Sequence, residues 1–165
     1  METLDRMMTY LENSPSPYHA VHCAAGLLEE GGFLRLEEAY PWRPEPGRGY
    51  YVTRNQSSLI AFRLPQDTLE SWRMTAAHTD SPTFYVKNDL LEGDRRYLRL
   101  AVEGYGGMNC ASWQDRPLTV AGRAVVRTDT GVEARLVWLD RDLLTIPSLA
   151  IHQQRDVNRG HEYNL

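Results

Sequence analysis

An α/β fold is predicted by three features of this sequence. Two short helical patterns open the chain, a strand–turn–strand follows them, and after about residue 90 the texture changes to short alternating segments with little helical periodicity. Residues 4–11 carry the first helical pattern, which the run Asn13-Ser14-Pro15-Ser16-Pro17 breaks while supplying caps for the next. Residues 18–30 place Ala20, Cys23, Ala24, Leu27 and Leu28 on one helical face and stop at Gly31-Gly32. Residues 42–49, rich in Pro and Gly, read as a loop. Tyr50-Tyr51-Val52-Thr53-Arg54 and Ser58-Leu59-Ile60-Ala61-Phe62-Arg63 read as two strands around a polar turn. Residues 73–78 read as a further strand, with residues 84–87 continuing the sheet after Pro82. Residues 97–102, 118–127 and 132–139 form the expected antiparallel β region, and a boundary near residue 90 divides the chain into parts 1–90 and 91–165.

Composition narrows the function classes. The chain has 165 residues, 42% of them hydrophobic and 24% charged, with a formal net charge of -4. Scattered arginines and a negative balance leave no basic footprint for nucleic acid or an anionic membrane, and Arg95-Arg96 reads as a solvated loop. No apolar run approaches the roughly 18 residues a membrane span needs, and the first residues lack the apolar core of a signal peptide, so a cytoplasmic location is expected. Cys23 and Cys110 are too few and too far apart for a disulfide framework or a Cys-rich zinc site. Both read as packing residues.

The chemistry concentrates in Ala77-His78-Thr79-Asp80-Ser81-Pro82. In an extended segment residues two apart share a face, so His78 and Asp80 can point the same way, as a metal ligand and the acid that orients it. Taken alone, the pair reads equally well as a hydrogen-bonded structural histidine. An open catalytic zinc site takes about three protein ligands, and nothing after residue 82 reads as a matching set.

The other candidates have plainer readings. His19 and His22, three apart on a helix, read as surface or capping residues, His152 as a partly buried histidine, and His161 as exposed. Ser81 precedes Pro82 outside any nucleophile elbow. Gly104, Gly106 and Gly107 lack the Lys-Ser/Thr pair of a phosphate cradle and read as a tight turn. Asp115 and Arg116 read as braces for a loop, and Glu133, Asp140, Asp142, Asp156 and Glu162 as surface acids.

Six motifs in one order carry a resemblance: the segment from Tyr50 to Phe62, Ala77-His78-Thr79-Asp80-Ser81-Pro82, Tyr105-Gly106-Gly107, Trp113-Gln114-Asp115-Arg116-Pro117-Leu118, Ala121-Gly122-Arg123 and Ile146-Pro147-Ser148-Leu149-Ala150-Ile151-His152. With the early Ser14-Pro15-Ser16-Pro17-Tyr18-His19-Ala20, the chain closely resembles the amino-terminal portion of the aspartyl aminopeptidases, the M18 zinc aminopeptidases. The resemblance implies the amino-terminal part of a zinc-peptidase α/β sandwich over 1–90 and the first part of an inserted β-rich dimerisation domain over 91–165. It implies a metalloaminopeptidase that removes N-terminal residues, acidic ones among them, from peptide substrates with two zinc ions. By the same match His78 is a zinc ligand, Asp80 fixes its imidazole, and His152 reaches from the dimerisation domain into a neighbouring subunit's active site, within a homo-oligomer built from dimers.

The family's bridging aspartate, catalytic glutamate, remaining acidic ligand and final histidine have no matching position here and are expected beyond residue 165. A truncated chain, inactive alone and with exposed strand edges, is therefore expected. Two other readings remain open: a non-catalytic assembly module that binds a full-length relative and offers His152 in trans, and a small independent fold in which His78 and Asp80 are only structural.

Overall fold

Helix α1 spans Thr3–Glu12 and helix α2 Pro17–Glu30 in the computed structural model, which describes residues 2–87, 92–93 and 96–160. The expected caps form. Ser16 Oγ accepts the His19 amide at 3.4 Å, and Pro17 occupies the first helical position, where its missing N–H costs nothing. At the other end Gly32 takes φ +78°, the Gly32 amide donates to the Glu29 carbonyl and the Phe33 amide to the Leu28 carbonyl, both at 2.9 Å. That paired closure satisfies carbonyls the helix leaves open and turns the chain towards the sheet.

The chain clusters into two compact units. One comprises Met1–Asp80 with Val120–Leu139, the other Ser81–Thr119 with Asp140–Leu165. The boundary expected near residue 90 falls among residues 88–91, outside the described residues.

The first unit is built on a three-stranded sheet in the order β1 (Leu34–Arg35), β2 (Gly49–Arg54), β3 (Ser58–Arg63). β2 is central, parallel to β1 and antiparallel to β3, with Tyr51 opposite Ala61. Its first four residues are all buried, so both faces of the strand are covered. Helix α2 packs on all three strands. Tyr50 lies against Phe62, which in turn stacks on Trp42, with centroid separations of 5.8 and 6.5 Å. The Tyr50 hydroxyl also accepts the Glu45 amide at 2.8 Å, which brings the Pro- and Gly-rich loop down onto the sheet. A Cβ on Gly49 would sit 2.8 Å from the Phe33 ring, so only glycine lets β2 pass there.

Among the described residues the buried apolar set is Ala20, Val21, Tyr50, Tyr51 and Val52. The burial expected along the length of α2 is concentrated at its N-terminal half. Cys23, Ala24 and Leu28 are only half-buried and Leu27 is exposed, while Val21, outside the expected face, is buried. The strands β8 (Ala121–Thr128) and β9 (Gly131–Trp138) form an antiparallel hairpin that belongs to this unit, β8 packing on α2. Cys23 and Cys110 are unbridged and half-buried, as packing residues are.

Two strand expectations are corrected. Residues 71–80 form no strand, because no segment among the described residues supplies the ladder that a strand requires. β4 (Thr83–Val86) forms where a strand is expected, yet it does not continue the first sheet. It pairs antiparallel with β7 (Val102–Tyr105) in the second unit, where the Tyr85 and Tyr105 rings stack at 4.6 Å. Gly106, at φ +74° beside Pro82, makes the tight turn read from the sequence. The second unit also contains the short pair β5 (Glu92–Gly93) and β6 (Leu98–Arg99), a 3-10 turn over Cys110–Trp113, and the Phe84–Trp113 edge contact at 5.2 Å. Among the described residues no helix is long and apolar enough to cross a membrane.

Tyr51 is 1% exposed, and its hydroxyl donates to the Glu29 carboxylate. Burial first, and the bond to Glu29 second, push the phenol up to about 12. The fold thus favours the neutral phenol. This contribution is complete below the ordinary tyrosine value of about 10 and is lost as pH rises from there through about 12. Denaturant titrations across that range should show the loss, and Tyr51→Phe should remove it while lowering stability near neutrality by about 1 kcal/mol.

Candidate metal-ligand site

His78 and Asp80 lie close together, by a local route in place of the expected strand geometry. The His78 Nδ1 is 2.5 Å from the Asp80 carbonyl oxygen and 3.4 Å from its carboxylate Oδ1. A carbonyl only accepts, so the proton belongs on Nδ1 in this contact, the tautomer in which a neutral imidazole has its lone pair on Nε2. A metal takes that nitrogen, and a ligand histidine's other nitrogen is ordinarily held by a carbonyl or carboxylate in this way. The His78 side chain is 78% exposed and that of Asp80 35%. Thr79, between them, is half-buried and donates from Oγ1 to the Ser57 carbonyl at 2.7 Å.

The donor chemistry fits one ligand position. Among the described residues no group of three or more His, Cys, Asp or Glu side chains is placed to hold a metal ion. The described residues thus offer at most one imidazole with Asp80 beside it, short of the three ligands of an open zinc centre.

His152 lies in a turn in the second unit and is exposed, where partial burial was expected. The segment leading to it is docked by Asp115. Residue Asp115 adopts φ +53°, its amide donates to the Ile146 carbonyl at 3.0 Å, and its Oδ1 accepts the Ser148 amide at 2.9 Å. Gln114 bridges to Ile146 in parallel. The loop-bracing role expected for Asp115 is the one it has. The Ala150 carbonyl then accepts the Gln153 amide at 2.8 Å, closing the turn that carries His152.

The remaining candidates separate by their surroundings. His19 is 8% exposed, with Nδ1 2.7 Å from Ser16 Oγ and its ring edge-on to Trp138 at 6.2 Å. Burial, and then the nearby His22, hold its pKa below the usual histidine value. The surface or capping role expected for it is corrected: Ser16 is the cap and His19, bonded to it, is buried, while His22 is exposed. Ser81 is exposed outside any helix or strand. Glu133 pairs with Arg135 at 2.8 Å on the surface, and Asp140, Asp142 and Asp156 are exposed. Arg95, His161 and Glu162 lie outside the described residues.

Thr79, Asn55 and Arg123 went unassigned on sequence grounds. The signals were present as a polar turn and the Ala121-Gly122-Arg123 run, but nothing local connects positions 55 and 123.

This mixed helix-and-strand architecture is that of solved aminopeptidases. A chain in "Cryo-EM structure of the Ape4 and Nbr1 complex" superposes with a TM-score of 0.86 at 39% identity, over 98% of this chain and 32% of that one. A chain of the S. cerevisiae mApe1 dodecamer gives 0.78 at 29% identity, over 91% and 36%. The family model described as Aminopeptidase I zinc metalloprotease (M18) matches residues 10–165, and the chain belongs to that family. Curated relatives include the probable M18 family aminopeptidase 2 of Ectopseudomonas mendocina, 41% identical over 165 residues, and that of Pseudomonas paraeruginosa, 44% identical over 160. The alignments take in 99% and 96% of this chain but 38% and 37% of those proteins.

Hydrogen bonding from Ser148, by side chain and then amide, holds the Asp115 carboxyl below the usual aspartate range. The docking is therefore complete above the ordinary aspartate value of about 3.9 and is lost as pH falls through the lower native value. The Ser148 amide resonance should titrate with a midpoint below 3.9, as is usual for a carboxylate stabilised by donors. In Asp115→Asn that titration should be absent.

Proposed function

We propose that this chain supplies the first metal-binding histidine of an M18-type zinc metalloaminopeptidase acting on peptides, acidic N-terminal residues among them, in the cytoplasm. The observation that carries the proposal is the His78 imidazole held through Nδ1 by Asp80, which leaves Nε2 as the donor. The family match and its description as a zinc metalloprotease support it.

In this reading His78 is the ligand, and Asp80 fixes the tautomer and ring orientation. What zinc supplies when bound is Lewis acidity, which polarises a scissile carbonyl and makes water more acidic. The chain's own contribution is positional: an imidazole whose Nδ1 is held by the Asp80 carbonyl, which leaves Nε2 as the nitrogen for a metal. His152, on its exposed turn, serves as a contact to the active site of a neighbouring subunit. Residues 1–90 belong to the peptidase domain and 91–165 to the dimerisation domain of a homo-oligomer, a reading supported by the dodecamer in which one structural relative was solved. In this reading the remaining ligands and the general base come from outside the described residues, among which no group of three or more His, Cys, Asp or Glu is placed to hold a metal ion where about three ligands are needed. The same single donor suits a second reading, a non-catalytic module assembled with a full-length relative, and a larger homologue co-purifying with the chain would favour it.

Zinc per chain should be well below one in the purified 165-residue protein, with no turnover of N-terminal Asp, Glu or Leu substrates. Stoichiometric zinc with turnover would overturn the single-donor reading. On titration with zinc, the His78 ring resonances should respond first. Asp80→Ala, which keeps the backbone carbonyl on Nδ1 and removes only the carboxylate 3.4 Å away, should weaken that response by less than the roughly 10-fold that loss of a ligand's orienting partner costs. In the assembled enzyme His152→Ala should slow turnover with metal content unchanged; metal loss alongside would reassign His152 as a ligand.

A further inference from the structure

Among the described residues no strand pairs with the segment that carries His78, and a side-chain hydrogen bond ties it to the sheet. Thr79 Oγ1 to the Ser57 carbonyl ties the segment to the first sheet, immediately between the two residues of the ligand pair. The Ser57 carbonyl belongs to the β2–β3 turn. There the Ser57 amide donates back to the Arg54 carbonyl at 3.2 Å while Asn55 and Gln56 both take positive φ, +52° and +57°. Both residues have a positive φ within a three-residue hairpin loop, a conformation that is strained for a side chain with a Cβ such as Gln56. Backbone strain of this kind persists where the surroundings over-determine it.

Arg123, on β8, supplies that constraint. One guanidinium nitrogen donates to both the Asn55 carbonyl at 2.7 Å and the Asn55 Oδ1 at 3.0 Å. The guanidinium carbon lies 4.4 Å from the centroid of the Tyr18 ring on α2. A charged donor with two acceptors on one residue and an aromatic face beneath it is held far more firmly than a surface arginine in water.

We infer that Arg123 and Thr79 are positioning residues for the His78 metal ligand. Arg123 clamps the turn on Tyr18, the turn aims the Ser57 carbonyl, and Thr79 hangs the His78–Asp80 segment from it. The inference rests on the reading of His78 as a ligand for its consequence in metal binding, but the clamp itself is measurable without metal. Loss of the tether frees the segment, the Nδ1–H bond to the Asp80 carbonyl opens, and the ring is released to put its proton on Nε2, the nitrogen a metal needs.

Nitrogen-15 NMR of the histidine rings in the 165-residue chain reads this directly. In the parent, His78 should show a protonated Nδ1 and an unprotonated Nε2. Thr79→Val should shift the ring towards the Nε2–H tautomer, and Thr79→Ser, which keeps the hydroxyl, should restore the parent pattern. Arg123→Lys should move His78 in the same direction by a smaller amount, and it tests the clamp should the valine variant fold poorly. Zinc titration of the same samples should show the His78 response weakened several-fold in Thr79→Val and recovered in Thr79→Ser. A parent tautomer in both Thr79→Val and Arg123→Lys would overturn the inference. A shifted tautomer with zinc binding unchanged, together with no effect of His78→Ala on zinc binding, would instead overturn the ligand reading and leave the clamp standing.

Discussion

The burial of β2 on both of its faces is the constraint from which the first unit follows. A central strand with four successive buried positions must find cover above and below, and here α2 supplies one cover and the Trp42–Phe62–Tyr50 cluster another. Tyr51 sharpens the requirement, because its large ring brings a hydroxyl into the core and a buried hydroxyl must be paired. Glu29, in the last turn of α2, meets it. The bond fixes the helix against the strand, and the glycine closure that follows delivers the chain to β1 beside that same strand. With β2 fixed, its antiparallel register with β3 leaves the turn at residues 55–57 in one place.

That turn is where scaffold and chemistry meet. A helix residue, a turn, a strand of the distant hairpin and the histidine segment converge through Tyr18, Asn55, Arg123, Ser57 and Thr79. Among the described residues no strand pairs with the segment that carries His78, so hydrogen bonds from single side chains bear on how its ring is oriented. The bond from His78 Nδ1 does this locally, and Thr79 does it relative to the sheet. The second unit uses the same device at His152, where Asp115 at positive φ docks the preceding segment through the Ser148 amide.

Much of this was legible in the chain. Both helices, the caps of α2, the β2–β3 hairpin, the β8–β9 pair and the Gly106 turn follow from patterns within a few residues, and the ordered motifs point to the M18 family to which the chain belongs. The nearness of His78 to Asp80 was also legible, though its cause was not. A shared strand face was expected, and a carbonyl two residues away does the work. The burial of His19 escaped the sequence reading because it depends on Trp138, more than a hundred positions away.

What the sequence determined by itself is therefore whatever depends on near neighbours: helix ends set by Ser16, Pro17 and Gly32, hairpin turns, the alternation of strands, and the two-residue spacing of His78 and Asp80. Each depends on backbone preferences and hydrogen bonds that close within about four residues. Tertiary structure alone decided which strands share a sheet, that residues 71–80 form no strand among the described residues, that the β8–β9 hairpin joins the first unit, and that Arg123 reaches Asn55. Those outcomes turn on competition among surfaces for burial and among donors for acceptors, and no local pattern in the chain encodes which partner wins.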